Sequence, residues 1–309
     1  MEYDWCIKQV LGSRPEQLID DGGDMHVAAH TSRTRGIVGG SEETTTGVMR
    51  LKALEAEKRL GYPVVAVNNA QTKFLFDNRY GTGQSTIDGI LRATALLLAG
   101  KRAVVVGYGW VGKGVAKRLS GMGARVTVVE VDPIKAIEAH LDGFEVTNIM
   151  DAAREGELFI TVTGQKHVIP FTAVERMREG AILANAGHFD VEIDVKTLLS
   201  KAKSVKTVRP HLEEVSLTNG KRVYLVGKGR IANLVAAEGH PPEVMQMSFA
   251  NQFMAALYIR ENHTSLEKKV YGVPAETERE IASATLTSLG IKIDEPSAEQ
   301  LKYATSWAL

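Results

Sequence analysis

Three stretches in the first third of the sequence carry side chains that could perform acid–base chemistry. Residues 20–24 (DDGGD) form an acidic run with glycines, and residues 41–47 (SEETTTG) combine two carboxylates with three threonine hydroxyls. Lys73 and Asp77 follow, and a spacing of four places both on one face of a helix. Each pattern also has an ordinary interpretation: an Asx turn or divalent-ion loop, a capping segment, and a surface ion pair.

A glycine-rich string further along has the spacing of a dinucleotide-binding turn. Residues 107–112 (GYGWVG) match G-x-G-x-x-G between an apolar strand and a helix, and Glu130 follows Gly112 by 18 residues. Gly107 permits the tight turn, Gly109 admits a pyrophosphate, and Gly112 lets helix and strand pack closely. The Glu130 carboxylate would accept ribose hydroxyls and repel a 2′-phosphate, which favours NAD over NADP. The alternative is a turn of the same shape that binds something else.

One histidine lies where a ligand is expected. His188 follows a predicted strand, and ligands of doubly wound sheets bind outside the carboxyl ends of the strands. No Cys/His spacing indicates a metal site. Most of the histidines without a motif are expected at the surface; they are His26, His30, His140, His167, His211 and His263.

The elements that must position these groups alternate between strand and helix. Short apolar β-branched runs predict parallel strands at 103–107, 125–131, 158–163 and 181–185, with helices at 111–120, from Pro133, and at 174–178. This order predicts an α/β fold with a doubly wound parallel sheet of the Rossmann type.

The pattern changes after Lys201. Val208, 215–217 and 223–226 predict antiparallel strands, and Asn219-Gly220 predicts a two-residue type I′ turn. A long helix is predicted at 241–260, with Val244, Met247, Phe249, Phe253, Met254 and Leu257 on one apolar face. Two further helices are predicted at 276–289 and 299–308, with a stop at Gly290.

Length and composition limit the class of protein. The 309 residues suffice for about two domains, and 37 basic against 37 acidic residues argue against a nucleic-acid partner. A single cysteine, Cys6, indicates no internal disulfide and fits a reducing compartment. No run is apolar and long enough to span a bilayer, and the first 20 residues do not resemble a signal peptide. A cytoplasmic location is therefore expected.

Seven strings together resemble one family, S-adenosyl-L-homocysteine hydrolase. They are 20–24 (DDGGD), 41–47 (SEETTTG), 76–81 (FDNRYG), 107–114 (GYGWVGKG), 130–133 (EVDP), 187–194 (GHFDVEID) and 239–241 (GHP) with Met245. The resemblance covers nearly the whole chain in one order. It implies reversible cleavage of S-adenosylhomocysteine to adenosine and homocysteine through NAD-dependent oxidation of the ribose 3′-hydroxyl, β-elimination, water addition and re-reduction.

The resemblance also implies roles for individual residues. Asp21, Lys73, Asp77 and His188 would be catalytic, with Lys73 as a candidate base whose pKa a nicotinamide cation would lower. Asp21, Glu43, Lys73 and Asp77 would bind the substrate. The cofactor would contact Thr44, Thr45, Thr46, Asn78, Gly107, Gly109, Trp110, Val111, Gly112, Lys113, Gly114, Glu130, Lys135, Ala186, Gly187, His188, Asn233 and His240.

The implied architecture has two domains and a tail. Residues 1–68 and 242–289 would form part of a substrate domain, 84–238 the NAD domain, and 290–309 a short helical tail, with hinges near 73–83 and 233–240. Family members are homotetramers, and they usually carry about a hundred further residues before Tyr3, including a His-x-Thr-x-Glu group. Thr82 and Lys135 stand where many members have Cys and Asn.

Three alternatives remain: a non-catalytic NAD-binding or regulatory relative, an S-inosyl-L-homocysteine hydrolase, and an NAD-dependent 2-hydroxy-acid dehydrogenase.

Overall fold

Two sheets organise the chain, as seen in a computed structural model that describes residues 2–307. The strands are β1 (Gln17–Asp20), β2 (Gly39–Glu42), β3 (Val64–Ala66), β4 (Arg102–Val106), β5 (Arg125–Val129), β6 (Glu145–Thr147), β7 (Leu158–Thr161), β8 (Ala181–Asn185), β9 (Ala202–Arg209), β10 (Leu212–Leu217), β11 (Arg222–Val226) and β12 (Val270–Gly272). The smaller sheet has the order β1-β2-β3-β12 and is parallel throughout.

The larger sheet has the order β6-β5-β4-β7-β8-β11-β10-β9. Its first six strands are parallel, and β10 and β9 extend it in antiparallel fashion. The side chains of β4, β7 and β8 are buried on both faces, with one apolar cluster on each side of the sheet. The predicted doubly wound α/β fold is therefore confirmed.

Helices cover both sheets and connect them. The α-helices are α1 (Glu2–Gly12), α2 (Asp24–Ser32), α3 (Thr45–Ala56), α4 (Gln71–Lys73), α5 (Gly83–Thr94), α6 (Trp110–Gly121), α7 (Pro133–Leu141), α8 (Ile149–Glu155), α9 (Phe171–Val174), α10 (Val195–Ser200), α11 (Ala232–Val235), α12 (Pro242–Asn262), α13 (Ala275–Ser288) and α14 (Ala298–Thr305). A π-helical segment, Phe74–Thr82, joins α4 to α5 without a break. The first predicted hinge is thus a continuous helix.

Two predictions about local structure are wrong. The helix predicted at 174–178 is the single turn α9, which begins directly after Pro170, a residue suited to the start of a helix. The turn after β10 has three loop residues, because Gly220 N–H bonds Leu217 O and Leu217 N–H bonds Lys221 O. Gly220 alone in that loop has a positive φ, of 87°, whereas a type I′ turn needs two such residues. Among the histidines that are mostly expected at the surface, His26 is fully buried.

The predicted apolar face of α12 is also wrong in part. Phe249 and Phe253 are 56% and 63% exposed, whereas Ser248 and Asn251 are fully buried. The helix turns a polar stripe inward because that stripe faces buried charges, and apolar periodicity alone does not reveal this requirement. The predicted stop at Gly290 agrees with a φ of 67° directly after α13 and Leu289.

A glycine contact brings the two halves of the molecule together. A Cβ on Gly114 of α6 would lie 1.9 Å from the Arg79 carbonyl oxygen in the π segment. A Cβ on Gly83 would lie 2.8 Å from the Gly114 carbonyl carbon. Phe74 stacks on Trp110 with ring centroids 5.0 Å apart beside this crossing. The π segment and the glycine-rich turn are therefore fixed against each other.

We predict that Gly114→Ala lowers the free energy of unfolding by roughly 1–3 kcal/mol, because the Arg79 carbonyl belongs to the backbone and cannot rotate away. Gly121→Ala is the matched control, since Gly121 ends the same helix and a Cβ there meets no described atom within 4 Å. Urea unfolding measures both. Equal stability of the two variants would show that the crossing tolerates a methyl group.

Candidate active site

A buried lysine is the centre of the site. Lys73 Nζ lies 2.9 Å from Asp77 Oδ2 and 3.5 Å from Glu43 Oε1, and it donates to Asn78 Oδ1 at 2.7 Å. The side chains of Lys73, Asp77 and Glu43 are 5%, 3% and 6% exposed. The pair of Lys73 and Asp77 is therefore buried, and not the surface ion pair that the spacing alone favours.

The π segment explains how Lys73 reaches both of its helical partners. The backbone hydrogen bonds of a π-helix join residues five apart, and its turn is wider than that of an α-helix, so that side chains four and five positions after Lys73 both come near it. Asn78 Nδ2 donates onward to Asn68 Oδ1 at 3.3 Å, and Asn68 Nδ2 donates to Thr45 Oγ1 at 3.0 Å. This chain links the lysine to the threonine turn.

Helix α12 holds the two carboxylates from the other side. Ser248 Oγ donates to Asp77 Oδ2 at 3.1 Å, and Gln252 Nε2 donates to Glu43 Oε2 at 2.6 Å. Ser248 and Gln252 are one helical turn apart and therefore lie on the same face of α12. This polar pair is the sequence signal for a buried polar face, and the apolar pattern of the helix hides it. His240 Nδ1 also bonds Asp77 Oδ1, and His240 Nε2 lies 3.1 Å from Thr82 Oγ1.

The charges of this cluster shift its pKa values in opposite directions. Burial alone would lower the pKa of Lys73, but Asp77 and Glu43 outweigh it and raise that pKa. Burial would raise the pKa of Asp77, but the bond from His240 and the charge of Lys73 lower it. Burial raises the pKa of Glu43, and Lys73 offsets this only in part. The protein's own groups thus raise the pKa of Lys73, and the lowering expected from a nicotinamide cation stays a prediction.

Asp21 and His188 approach each other across the two sheets. His188 Nδ1 lies 3.9 Å from Asp21 Oδ1. Gly22, at φ 102°, leaves room for the imidazole, because a Cβ there would lie 2.2 Å from His188 Nε2. Asn185, which the sequence analysis also missed, fixes the loop of His188: its Nδ2 donates to the carbonyls of Gly187 and Phe189, and its Oδ1 accepts from Gly187 N–H.

The threonine turn begins helix α3 and faces the other half of the cleft. Thr44 is the N-cap of α3, and Thr46 is buried, whereas Thr45 is exposed. A Cβ on Gly164 would lie 3.5 Å from Thr46 Cγ2, so the turn meets the loop after β7. Glu192 holds that loop by accepting from the N–H groups of Thr163 and Gly164.

The glycine-rich turn has the shape of a dinucleotide site. Gly107 has φ 106°, and a Cβ on Gly112 would lie 2.1 Å from the Gly107 carbonyl oxygen. A Cβ on Gly109 would meet no described atom within 4 Å, and no described side chain caps α6 there. Its first N–H groups are thus available to phosphate oxygens. Val111 lies in the first turn of α6.

The remaining predicted cofactor residues fall into two places. Glu130 follows β5 beside the turn and accepts from Tyr108 N–H at 2.7 Å. Lys135 is exposed, and its Nζ lies 3.4 Å from Asp132 Oδ2. Lys113 Nζ lies 4.3 Å from the Trp110 ring centroid and pairs with Glu138. At the other end, Asn233 Nδ2 donates to Ser85 Oγ at 3.2 Å, and Ala186 is buried next to Gly187.

A second acidic cluster lies beneath the site. Ligand atoms of Asp20, His26 and Glu42 lie within 4.8 Å of one another. His26 Nε2 donates to the Ser41 carbonyl, and His26 Nδ1 lies 3.0 Å from the Tyr62 hydroxyl. Burial lowers the pKa of His26, and a metal ion would have to displace one of these partners. That no metal binds stays a prediction.

The fold and the turn define an α/β dinucleotide-binding protein. Residues 78–239 match the family model described as S-adenosyl-L-homocysteine hydrolase, NAD binding domain. The chain is 57% identical over 302 residues to the adenosylhomocysteinase of Sulfurisphaera tokodaii, a match covering 97% of this chain and 73% of that relative. It is 55% identical over 309 residues to the S-inosyl-L-homocysteine hydrolase of Methanocaldococcus jannaschii, covering 99% and 74%. The chain belongs to the S-adenosyl-L-homocysteine hydrolase family.

These comparisons confirm the resemblance and the choice of NAD at the level of the family. They do not test the individual site residues, whose roles stay predictions. Within residues 2–307, no helix is both long and apolar enough to cross a membrane.

We predict that the buried Glu42 makes stability fall as the pH rises. Burial raises the pKa of Glu42 to about 7 from 4.5, so that the folded state binds the extra proton between these values and loses stability as the pH rises through them. Between these pH values, the free energy of unfolding of Glu42→Gln should rise relative to that of the wild type by up to roughly 3 kcal/mol. Urea unfolding across this pH range measures it.

Glu16→Gln, at an exposed position just before β1, gives the baseline for this experiment. A stability difference between Glu42→Gln and wild type that does not change with pH would contradict the prediction.

Proposed function

We propose that the chain catalyses the reversible hydrolysis of S-adenosyl-L-homocysteine to adenosine and L-homocysteine with NAD as cofactor. One observation carries the proposal: Lys73 is buried between two carboxylates at a helix that packs on the glycine-rich turn. That arrangement puts a proton-transfer group next to a dinucleotide site. The relative from Sulfurisphaera tokodaii, which is named adenosylhomocysteinase, supports the same activity.

The residues present fit NAD. The open space at Gly109 and the uncapped start of α6 suit the pyrophosphate, and Glu130 suits a ribose diol. Asn233 Oδ1 is buried and has no partner among the described residues, which suits a carboxamide N–H. When bound, NAD supplies the oxidation of the ribose 3′-hydroxyl and, at the end, the reverse reduction.

The chain's own residues would handle the protons. Lys73 carries a proton at rest because its pKa is raised, so it must release that proton before it accepts one from the ribose hydroxyl. Glu43 is the receiving group that we favour, since burial raises its pKa and its Oε1 lies 3.5 Å from Lys73 Nζ. Asp77 keeps its charge and binds the substrate with Lys73 and Glu43.

Asp21 and His188 would act at the other end of the ribose. Their side chains lie 3.9 Å apart, one from each sheet, which suits transfer of a proton near C4′ and C5′. His240 would orient Asp77, and Asn78 would orient Lys73. The threonine turn, Lys135 and the residues of the glycine-rich turn complete the proposed cofactor site.

The domain assignment follows the two sheets. We propose that 1–68 and 242–289 form the substrate domain, 84–238 the NAD domain and 290–309 the tail. The strands of the smaller sheet, including β12 from the 242–289 segment, fall in the first group, and those of the larger sheet fall in the second. A cytoplasmic homotetramer is the proposed form, supported by exposed apolar side chains such as Phe249 and Phe253.

Two alternatives make different predictions. A non-catalytic NAD-binding relative would bind NAD without reducing it when adenosine is added. An S-inosyl-L-homocysteine hydrolase would turn over the inosyl substrate with the higher kcat/KM, and the 55% identical relative of that name is the reason to test it. Assays with both substrates separate these possibilities.

We predict that Lys73→Met lowers kcat for S-adenosylhomocysteine hydrolysis by about 10²- to 10⁴-fold, because the proton-transfer group is lost. Absorbance of reduced nicotinamide after adenosine is added should fall in parallel, while NAD binding persists. Lys52→Met, at an exposed lysine of α3, is the control. Normal turnover by folded Lys73→Met would remove Lys73 from the mechanism.

A further inference from the structure

Glu42 lies fully buried beneath two loops of the site. Its Oε1 accepts three hydrogen bonds: from Gly22 N–H at 2.8 Å, from Thr44 N–H at 2.9 Å and from Thr44 Oγ1 at 2.8 Å. The proposed mechanism assigns no role to this side chain. A single carboxylate oxygen thus joins two segments that are about twenty residues apart in the sequence.

The two segments carry the groups that the reaction needs. Gly22 directly follows Asp21, and Thr44 directly follows Glu43. The space around the carboxylate is closed, because a Cβ on Gly47 would lie 2.1 Å from Glu42 Cδ. The position of Glu42 therefore sets the position of Asp21 relative to Glu43.

This arrangement is costly for stability. Glu42 Oε2 is buried and has no hydrogen-bond partner among the described residues. An unpaired oxygen of this kind costs free energy that a smaller or apolar residue would not. A residue that lowers stability and lies directly beneath a site is expected to be kept because the site needs it.

We propose that Glu42 is a positioning residue, whose Oε1 fixes the Asp21 loop and the threonine turn so that Asp21 and Glu43 reach the same ribose. The inference rests on the proposed function. Displacement of a reacting group by about 1 Å costs on the order of 10²-fold in rate. A glutamine at this position keeps one acceptor oxygen, but it is a weaker acceptor than a carboxylate and brings an amide group that must also find partners.

A second tie keeps the loops attached when Glu42 is replaced. Arg50 of α3 donates to the Gly22 carbonyl at 2.8 Å and to Asp24 Oδ1 at 2.6 Å. We therefore expect Glu42 variants to fold, with Asp21 displaced rather than released.

A double-mutant cycle in the NAD-loaded protein tests the proposal. Glu42→Gln should lower kcat for S-adenosylhomocysteine hydrolysis roughly 10- to 100-fold with a smaller change in KM, without lowering the melting temperature above neutral pH. In an Asp21→Asn background, the same substitution should cost at most about three-fold, because the group that Glu42 positions has already lost its function.

Two further variants make the result specific. Glu42→Asp keeps the charge but withdraws the oxygens by one methylene, and it should lose as much kcat as Glu42→Gln. Glu213→Gln is the matched control, since Glu213 on β10 is also buried with an Oε2 that has no described partner, and its kcat should not change.

The outcomes separate the inference from the function beneath it. Unchanged kcat in Glu42→Gln, or the same fold loss in both backgrounds, overturns the positioning role while the wild type remains active. Full activity in Glu42→Asp overturns it as well, since charge alone would then suffice. An inactive wild type overturns the proposed function and the inference together.

Discussion

The ion cluster around Lys73 is the constraint on which the rest of the structure depends. The Lys73 side chain is only 5% exposed, and a buried ammonium group costs several kcal/mol unless opposite charges and hydrogen bonds surround it. Glu43 comes from the end of the smaller sheet, Asp77 and Asn78 from the π segment, and Ser248 and Gln252 from α12. The cluster therefore forms only when all three elements are in place, which ties the chemistry to the tertiary fold.

Close packing fixes the position of the Lys73 cluster relative to the dinucleotide site. The contact of Gly114 with the Arg79 carbonyl and the stack of Phe74 on Trp110 place the π segment directly on the glycine-rich turn. His240 extends the same unit, because it bonds Asp77 and lies 3.3 Å from Asn233 Nδ2. A substrate held at Lys73 would thus lie beside the part of the cleft where a nicotinamide is expected. The close-packed groups between the two sites would keep their distance fixed.

Much of the fold could be predicted from the sequence, and the exceptions have physical causes. Apolar runs such as β8 identify the larger sheet, because a buried parallel strand needs that composition. The π segment could not be predicted, since its spacing depends on tertiary contacts with α6. The orientation of α12 was missed because Phe249 and Phe253 complete an apolar period that the fold leaves exposed. In the site, the family resemblance pointed to Glu43, Lys73 and Asp77, whereas the hydrogen bonds that Asn185 and Glu42 make to backbone groups arise from the tertiary fold and could not be predicted.

The central claim is that Lys73 is a buried, carboxylate-paired ammonium, and its titration tests this most directly. An NMR pH titration of the protein labelled at the lysine side chains, with the Lys73 signal assigned by its loss in Lys73→Met, gives that pKa. The account predicts a value above that of an ordinary lysine, and a lower value in Asp77→Asn because the nearer of the two opposite charges is removed. A Lys73 pKa at or below the ordinary lysine value, unchanged in Asp77→Asn, would contradict it.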